Sequence, residues 1–310
     1  MRRIVSVAVS LVIAVACLGA QTAKPTPASA GFDSAKAWEY LRQMVTIGPR
    51  PAGSAALHQT RAYITHQLAA LGLKVEEQPF TADTPIGKVD MVNLIVRLPG
   101  RRTDRILFTG HYDTKPIRTS TFVGASDGAS SAAMLMELAR VFKDRPREFT
   151  YEFVWLDGEE AFCFDWSECG RPGSPDNTYG SRFYVQAAQK AGATGAIKAN
   201  VLVDMVGAKD LKLWRESRST KWLTDIVWAA AKRLGHGTVF LEKSGEVEDD
   251  HFPFLDAGIP STDIIDLMDY PYWHNTTCCD DLTRVEERSL KIVGDVIVAA
   301  IPDIEKHLLK

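Results

Sequence analysis

The sequence predicts an α/β protein: a mixed β-sheet with a parallel centre, flanked by helices on both faces. Two observations carry that expectation. From about residue 105 onward, short runs rich in Val, Ile and Leu alternate with longer stretches of helical spacing, and strands that alternate with helices call for parallel pairing with both faces covered. The composition of the 310 residues, 45% hydrophobic and 24% charged with 22 Gly and 15 Pro, is that of a chain able to bury a core. It excludes a disordered, collagen-like or low-complexity protein.

The first segment reads as an export signal. Arg2 and Arg3 precede the apolar run Ile4–Ala20, broken only by Ser6, Ser10 and Gly19, and the polar stretch Gln21–Ser29 follows. A membrane-crossing helix needs about 20 apolar residues with suitable flanks, and this run is shorter, so no stable membrane span is expected. Cleavage after Ala16, Ala20 or Ala30 fits the pattern. The first would expose Cys17 for a lipid anchor, although Ala14 is a poor opening residue for that signal. The expectation is therefore a soluble periplasmic or secreted protein, with residues 1–30 as signal peptide and leader and 31–310 as a single domain. The formal charge is −3 and the leader contains arginines but no acid before Ala20, so the remainder is more acidic still. A nucleic-acid partner is excluded on that balance.

Next come two helices, Ser34–Val45 and Ala55–Leu71, separated by the turn Gly48–Gly53. Val75–Phe80, Lys88–Leu98 and Arg105–Gly110 read as strands. The alternation then begins: helix Ser131–Val141 before strand Tyr151–Leu156, helix Tyr179–Lys190 before strand Ala196–Met205, helix Thr220–Leu234 before a short strand near Val239. Thr262–Ile265 is a further strand and Val285–Ile301 a closing helix; no internal repeat is found. Of the five cysteines, at 17, 163, 169, 278 and 279, none forms a Cys-x-x-Cys pair, so a structural zinc knuckle is not indicated. In an exported protein the last four can pair, and Cys163 and Cys169 are close enough to close a small loop; the connectivity stays open.

In such a sheet, ligands bind beyond the carboxyl ends of the strands. Five junctions carry acids or histidine there: His111 and Asp113, Asp127, Asp157 with Glu159 and Glu160, Asp204, and Trp273 with His274. Each has an ordinary alternative. Asp127 can cap the helix that follows it, Glu159 and Glu160 can form a solvated turn, and a single histidine is usually no ligand. Asp204 is harder to set aside, because it ends the apolar run Val201–Val203 and would be desolvated without a partner. The joint occurrence resembles a metal site. A catalytic zinc keeps three protein ligands and one open position, and Asp127, Glu160 and His274 can supply the three. Glu159 is then available for proton transfer.

At these residues the sequence resembles the zinc-dependent glutaminyl cyclases (glutaminyl-peptide cyclotransferases) of animal and bacterial type, which share the zinc aminopeptidase-like fold. The likeness extends from about Phe32 to Leu309 and rests on Gly110–Lys115, Phe122–Asp127, Asp157–Phe162, Tyr179–Arg182, Asp249–Phe254 with Gly258–Pro260, and Trp273–His274. Glu-Glu-Ala-Phe with Trp166 behind it, the double acid Asp249-Asp250 before His251, and a Trp directly before His274 favour the cyclases over the aminopeptidases. The resemblance implies an acyltransferase that converts N-terminal glutamine of peptides or proteins to pyroglutamate with release of ammonia, with one zinc ion per chain; a monomer is the expectation, although the sequence does not give the oligomeric state. By motif, Asp127, Glu160 and His274 become the zinc ligands and Glu159 the general acid/base, with a pKa raised by enclosure. Asp204 and Asp249 form a hydrogen-bonded acidic network around the substrate amide and Glu159, and Trp166, Trp273, Glu248 and His111 belong to the substrate pocket.

The sequence also departs from that family. The animal enzymes' disulfide cannot form between Gly110 and the Ala132-Ala133 region, matching Trp166 requires a one-residue insertion, and Asn275–Cys279 has no counterpart. His111 and Asp204 correspond to second-metal ligands in two-zinc aminopeptidases. A two-zinc hydrolase using His111, Asp127, Glu160, Asp204 and His274 is thus the alternative, and a non-catalytic binding ectodomain the remote one.

Overall fold

The computed structural model describes residues 31–117, 119–171, 173–274 and 279–310. The export signal, its cleavage positions, Cys17 and most of Asn275–Cys279 lie outside them. Helix α1 (Ser34–Ile47) starts where the Asp33 carboxylate accepts the Lys36 amide, and α2 (Ala55–Ala70) where Ser54 Oγ accepts the Leu57 amide at 3.1 Å. Leu57, Thr60, Ile64 and Leu68 make the buried stripe of α2 at the three-and-four spacing of a half-covered helix.

Strands β1 (Val75–Thr84) and β2 (Gly87–Leu98) form an antiparallel hairpin, and β2 lies antiparallel to β4 (Thr150–Leu156). The parallel part comprises β4, β3 (Arg105–His111), β5 (Ile197–Asp204) and β8 (Ser261–Ile265), giving the order β1-β2-β4-β3-β5-β8. The expected mixed sheet with a parallel centre is present. β1 runs four residues past the expected Phe80, because its pairing with β2 continues to Thr84 opposite Gly87. Pro79, which cannot donate to a ladder, is tolerated there because β1 is an edge strand.

Alternation along the central strands divides the core in two. Phe108, Phe153, Trp155, Val201 and Val203 pack with α1, α2, α3 (Ala129–Lys143), α6 (Lys221–Arg233) and α8 (Glu287–Leu308). Leu107, Val154 and Leu156 face the other way, onto Tyr184 and Val185 of α5 (Tyr179–Lys190) and Phe254 of α7 (His251–Asp256). Both faces are therefore covered by helices. Trp155 is fully buried and its indole N–H donates to Ala132 O at 3.0 Å, which satisfies its one polar atom.

Three elements were not legible in the sequence. Helix α4 (Trp166–Cys169) and α7 are too short to show a period. Strand β6 (Leu213–Glu216) pairs in parallel with β7 (Phe240–Gly245), the strand expected near Val239, and the two form a separate small sheet. The closing helix starts at Glu287 rather than Val285, whose backbone bridges to Ala208, and it continues past Pro302 to Leu308. Among the described residues no helix is long and apolar enough to cross a membrane.

Candidate active site

The carboxyl ends of β4, β5 and β8 open into a cavity of about 360 Å³, and most of the residues singled out from the sequence collect around it. Its base is acidic, with Asp127, Glu159, Glu160, Asp204 and Asp249, and His274 joins them. Trp166 and Trp273 stand on its wall, both half-buried, together with Val247, Ile265 and Leu267. Glu248 lies on the exposed part of the lining.

Asp127 ends the segment that leads into α3. It is not a helix cap, because Gly128 occupies the cap position and no side chain bonds there. The segment turns on two glycines with positive φ, Gly124 at 52° and Gly128 at 89°. A Cβ on Gly124 would lie 2.2 Å from Asp127 O, and one on Gly128 2.4 Å from Asp113 O, so both positions demand glycine. Glu159 and Glu160 follow β4 and are buried, which removes the solvated-turn alternative. Asp113, quoted in the Gly110–Lys115 motif but given no role, orients this turn: its carboxylate accepts the amides of Glu159 at 3.2 Å and Glu160 at 3.4 Å.

Asp127, Glu160 and His274 each offer a ligand atom within 4.8 Å of the others, and His274 Nε2 is 3.3 Å from Glu160 Oε2. Glu160 is 2% exposed, yet among the described residues neither of its carboxylate oxygens accepts a hydrogen bond. The ammonium of Lys115, 4.0 Å from Oε2, is the nearby cation. A buried carboxylate without hydrogen bonds is costly, and a divalent ion held by two carboxylates and an imidazole would satisfy it. The donor set suits zinc. Phe122 stands edge-on to the His274 ring at 6.1 Å and helps fix its plane.

A second group, His111, Asp127 and Asp204, also converges within 4.8 Å. His111 Nε2 lies 3.0 Å from Asp204 Oδ1 and 3.2 Å from Asp127 Oδ1, and Nδ1 lies 3.4 Å from Asp113 and 3.8 Å from Glu159. Burial opposes the charged imidazole, but Asp204, Glu159 and the bonds to Asp113 and Asp127 outweigh it and carry the His111 pKa well above its ordinary value. His111 was expected in the substrate pocket. It is instead fully buried beneath the base, because it ends β3 in the sheet centre with acids on every side.

Asp204 has the partners that its desolvation requires: His111, Ser131 Oγ at 3.0 Å and the Met205 amide at 2.7 Å. Met205 adopts φ 50°, a strained conformation for a residue with a side chain, on the cavity lining. Burial pushes the Glu159 carboxyl well above the usual range, with Glu160, Asp249 and Asp250 adding to it against His111. Asp249 is raised well above its usual value by burial, Asp204 and Asp250. Glu159, Asp204 and Asp249, expected to form an acidic network around the substrate amide, all line the cavity. Among the described residues no hydrogen bond joins the three carboxylates; Asp204 bonds to His111 and Ser131, and Asp249 accepts the Asp250 amide at 2.5 Å.

A disulfide joins Cys163 to Cys169 and closes the loop that carries Asp165, Trp166 and Ser167 to the cavity, so these sulfurs are not metal ligands despite lying near Asp176. Cys279 is also disulfide-bonded. Besides Asp113, two buried charged residues at the edge of the site escaped the sequence reading: Arg50, inside the first turn, and Asp280, just beyond the segment after His274. Their backbone and side-chain bonds converge on residues 123–127.

Comparison with known proteins places these observations in a family. The Peptidase family M28 profile matches residues 93–301. A glutaminyl-peptide cyclotransferase-like protein of Mus musculus is 32% identical over 274 residues, covering 78% of this chain and 69% of that protein. The crystal structure of an Acidobacteriales bacterium glutaminyl cyclase superposes with a TM-score of 0.82 at 36% identity, covering 93% of this chain and 100% of that one. A Zn-dependent exopeptidase from Parabacteroides distasonis superposes with a TM-score of 0.79 at 25% identity, covering 88% and 99%.

Proposed function

Since the chain belongs to peptidase family M28 and, within it, to the glutaminyl-peptide cyclotransferases, we propose that it cyclises N-terminal glutamine of peptides and proteins to pyroglutamate through a single-zinc site. The observation that carries the reading is the buried Glu159 carboxylate beside the Asp127, Glu160 and His274 group, at the base of a cavity walled by Trp166 and Trp273. Zinc held by those three residues would supply Lewis acidity at the γ-carbonyl oxygen of the substrate.

The chain's own residues do the rest. The nucleophile is tethered to its electrophile, so orientation matters more than capture. Trp166 and Trp273 confine the glutamine side chain and keep bulk water from the reacting carbon. Glu159 accepts a proton from the α-amine as its nitrogen bonds to Cδ, the carbonyl carbon of the side-chain amide, and returns a proton to the amide nitrogen as the Cδ–Nε2 bond breaks and ammonia leaves. A raised pKa suits both directions of transfer near neutral pH. Asp204 and Asp249 line the cavity beside Glu159, where their carboxyl oxygens can accept hydrogen bonds from the amine end of the substrate. We assign this chemistry to residues 31–310 as one catalytic domain acting as a monomer, and residues 1–30 to export into the periplasm or medium. The Cys163–Cys169 disulfide supports an oxidising compartment.

The His111, Asp127 and Asp204 group favours a second reading, a two-zinc aminopeptidase. The similarity to glutaminyl-peptide cyclotransferases in sequence and structure supports the cyclase over it. Incubation of purified protein with a Gln-initiated peptide, followed by mass spectrometry, separates the two. Loss of one ammonia from an intact chain is the expected result; release of the first residue would establish the peptidase.

A further inference from the structure

We propose that Arg50 and Asp280 form a two-sided clamp that presets the main chain of residues 122–127, and thereby the position of the Asp127 carboxylate. Both are positioning residues. The inference rests on the reading of Asp127 as a metal ligand given above and extends it to groups that touch neither metal nor substrate.

The clamp is seen in where the segment's backbone hydrogen bonds go. Every amide from Ala125 to Asp127 points at Asp280: Ala125 N donates to its carbonyl at 3.0 Å, Ser126 N to both carboxylate oxygens at 2.9 and 3.0 Å, and Asp127 N to Oδ2 at 2.8 Å. The carbonyls on the other side point at Arg50: Nη1 donates to Val123 O at 2.6 Å and Nη2 to Gly124 O at 2.9 Å. Both charged residues are fully buried. Each is locked in turn. Tyr270 donates its hydroxyl to Asp280 Oδ1 at 2.5 Å, while Arg50 Nε donates to Tyr112 O at 3.0 Å and the Arg50 amide to Thr114 Oγ1 at 2.9 Å.

A buried guanidinium engaged with main-chain carbonyls, facing a buried carboxylate engaged with main-chain amides, is a costly arrangement for holding one six-residue segment. Charge-assisted bonds to both edges of the peptide units fix the segment more stiffly than neutral bonds would. The separation in sequence adds to the argument. Asp280 follows His274 by six residues, so its grip on Ser126 and Asp127 ties the segment after one ligand to the segment that carries another. Arg50 comes from the turn between α1 and α2 and ties the same segment to β3 through Tyr112. Residues that orient ligands without touching the ion typically contribute 10–100-fold to metal affinity.

The test is the zinc dissociation constant of the full-length protein, by competition with a chromophoric chelator, beside the melting temperature of the metal-stripped form. Asp280→Asn keeps the size but turns a donor toward amides that need an acceptor. Arg50→Lys keeps the charge but cannot reach three carbonyls. Both should weaken zinc binding by about 10–100-fold. Tyr270→Phe, which removes one bond to Asp280, should weaken it less and remains folded if the stronger variants do not. Glu305→Gln is the control: Glu305 also accepts two backbone amides and a tyrosine hydroxyl, from Glu148, Phe149 and Tyr151. It should lower the melting temperature and leave zinc affinity at the wild-type value. Wild-type affinity in folded Arg50→Lys and Tyr270→Phe, or an equal loss in Glu305→Gln, would overturn the clamp. Wild-type protein that takes up no zinc, or an Asp127→Ala variant that binds it normally, would instead remove the ligand reading on which the clamp rests.

Discussion

Replacing Glu159 by glutamine changes a proton acceptor into an amide of the same shape, at a position where the backbone is held independently of the side chain. The Glu159 amide keeps its bond to Asp113 and its carbonyl keeps the Thr178 amide at 2.8 Å, so the turn that presents Glu160 persists. A positioned general acid/base contributes about 10²–10⁴ in rate, so kcat of zinc-loaded protein should fall by that factor, about 2.7–5.5 kcal/mol of barrier. Stability should move the other way or not at all. Burial, Glu160, Asp249 and Asp250 all disfavour the charge that the substitution removes, against the favourable contact with His111 at 3.8 Å. The assay is ammonia release from a Gln-initiated peptide at saturating substrate, with zinc content and melting temperature measured on the same preparation. The pH profile adds a sign. Below the raised folded-state pKa of Glu159 the carboxyl is protonated and cannot accept a proton, so wild-type rate should fall toward acid pH and the variant's residual rate should lose that limb. Turnover within tenfold of wild type with the acid limb intact would take Glu159 out of the mechanism. A loss that tracked zinc content would transfer its role to the metal site.

Three further outcomes follow from the geometry. His274→Ala should strip zinc and abolish cyclisation, with Asp127 and Glu160 left as an incomplete set; unchanged zinc by atomic absorption would count against its ligand role. Metal-stripped protein should lose stability as pH rises. Asp157, pushed up to about 8 by burial and Asp113, and Asp250, pushed up to about 7 by burial despite the bond from Ser181, retain protons that the unfolded chain sheds near 3.8. Their contribution is full below about pH 4 and is lost toward about pH 8, so the melting temperature should fall across that interval. Zinc, which binds deprotonated ligands, should reduce the fall; a melting temperature that rises with pH in the stripped protein would contradict the raised values. Replacing both Cys163 and Cys169 by serine should raise KM several-fold with kcat nearly held, because the loop bearing Trp166 must then be ordered at the expense of binding. A change in kcat alone would show that the loop serves the chemical step and not the grip on substrate.

Much of the fold was legible because it is written in local periods. The alternation through β3, β4 and β5 and the three-and-four spacing of α5 and α6 mark their elements to within a residue or two. The identities of the candidate ligands were legible for a related reason: in a parallel sheet the strand ends converge, so acids placed just after strands are brought together wherever they lie in the chain. What escaped was short or relational. The four residues of α4 and of β6 hold no full period. His111 looked like a pocket residue because its motif lies at a strand end, and nothing local states that β3 is central and that the residue at its end is covered. Nor does anything local state that Asp204 meets the hydroxyl of Ser131, 73 positions away.

Residue order therefore settles which segments become helix or strand and which side chains arrive at the mouth of the sheet, since backbone sterics and apolar spacing act over a few residues. Folding settles which arriving groups lose water and which donors meet them. Arg50 and Asp280 reach the same segment from 74 and 153 residues away. Desolvation and hydrogen-bond partnership depend on distance through space, and no period along the chain encodes that.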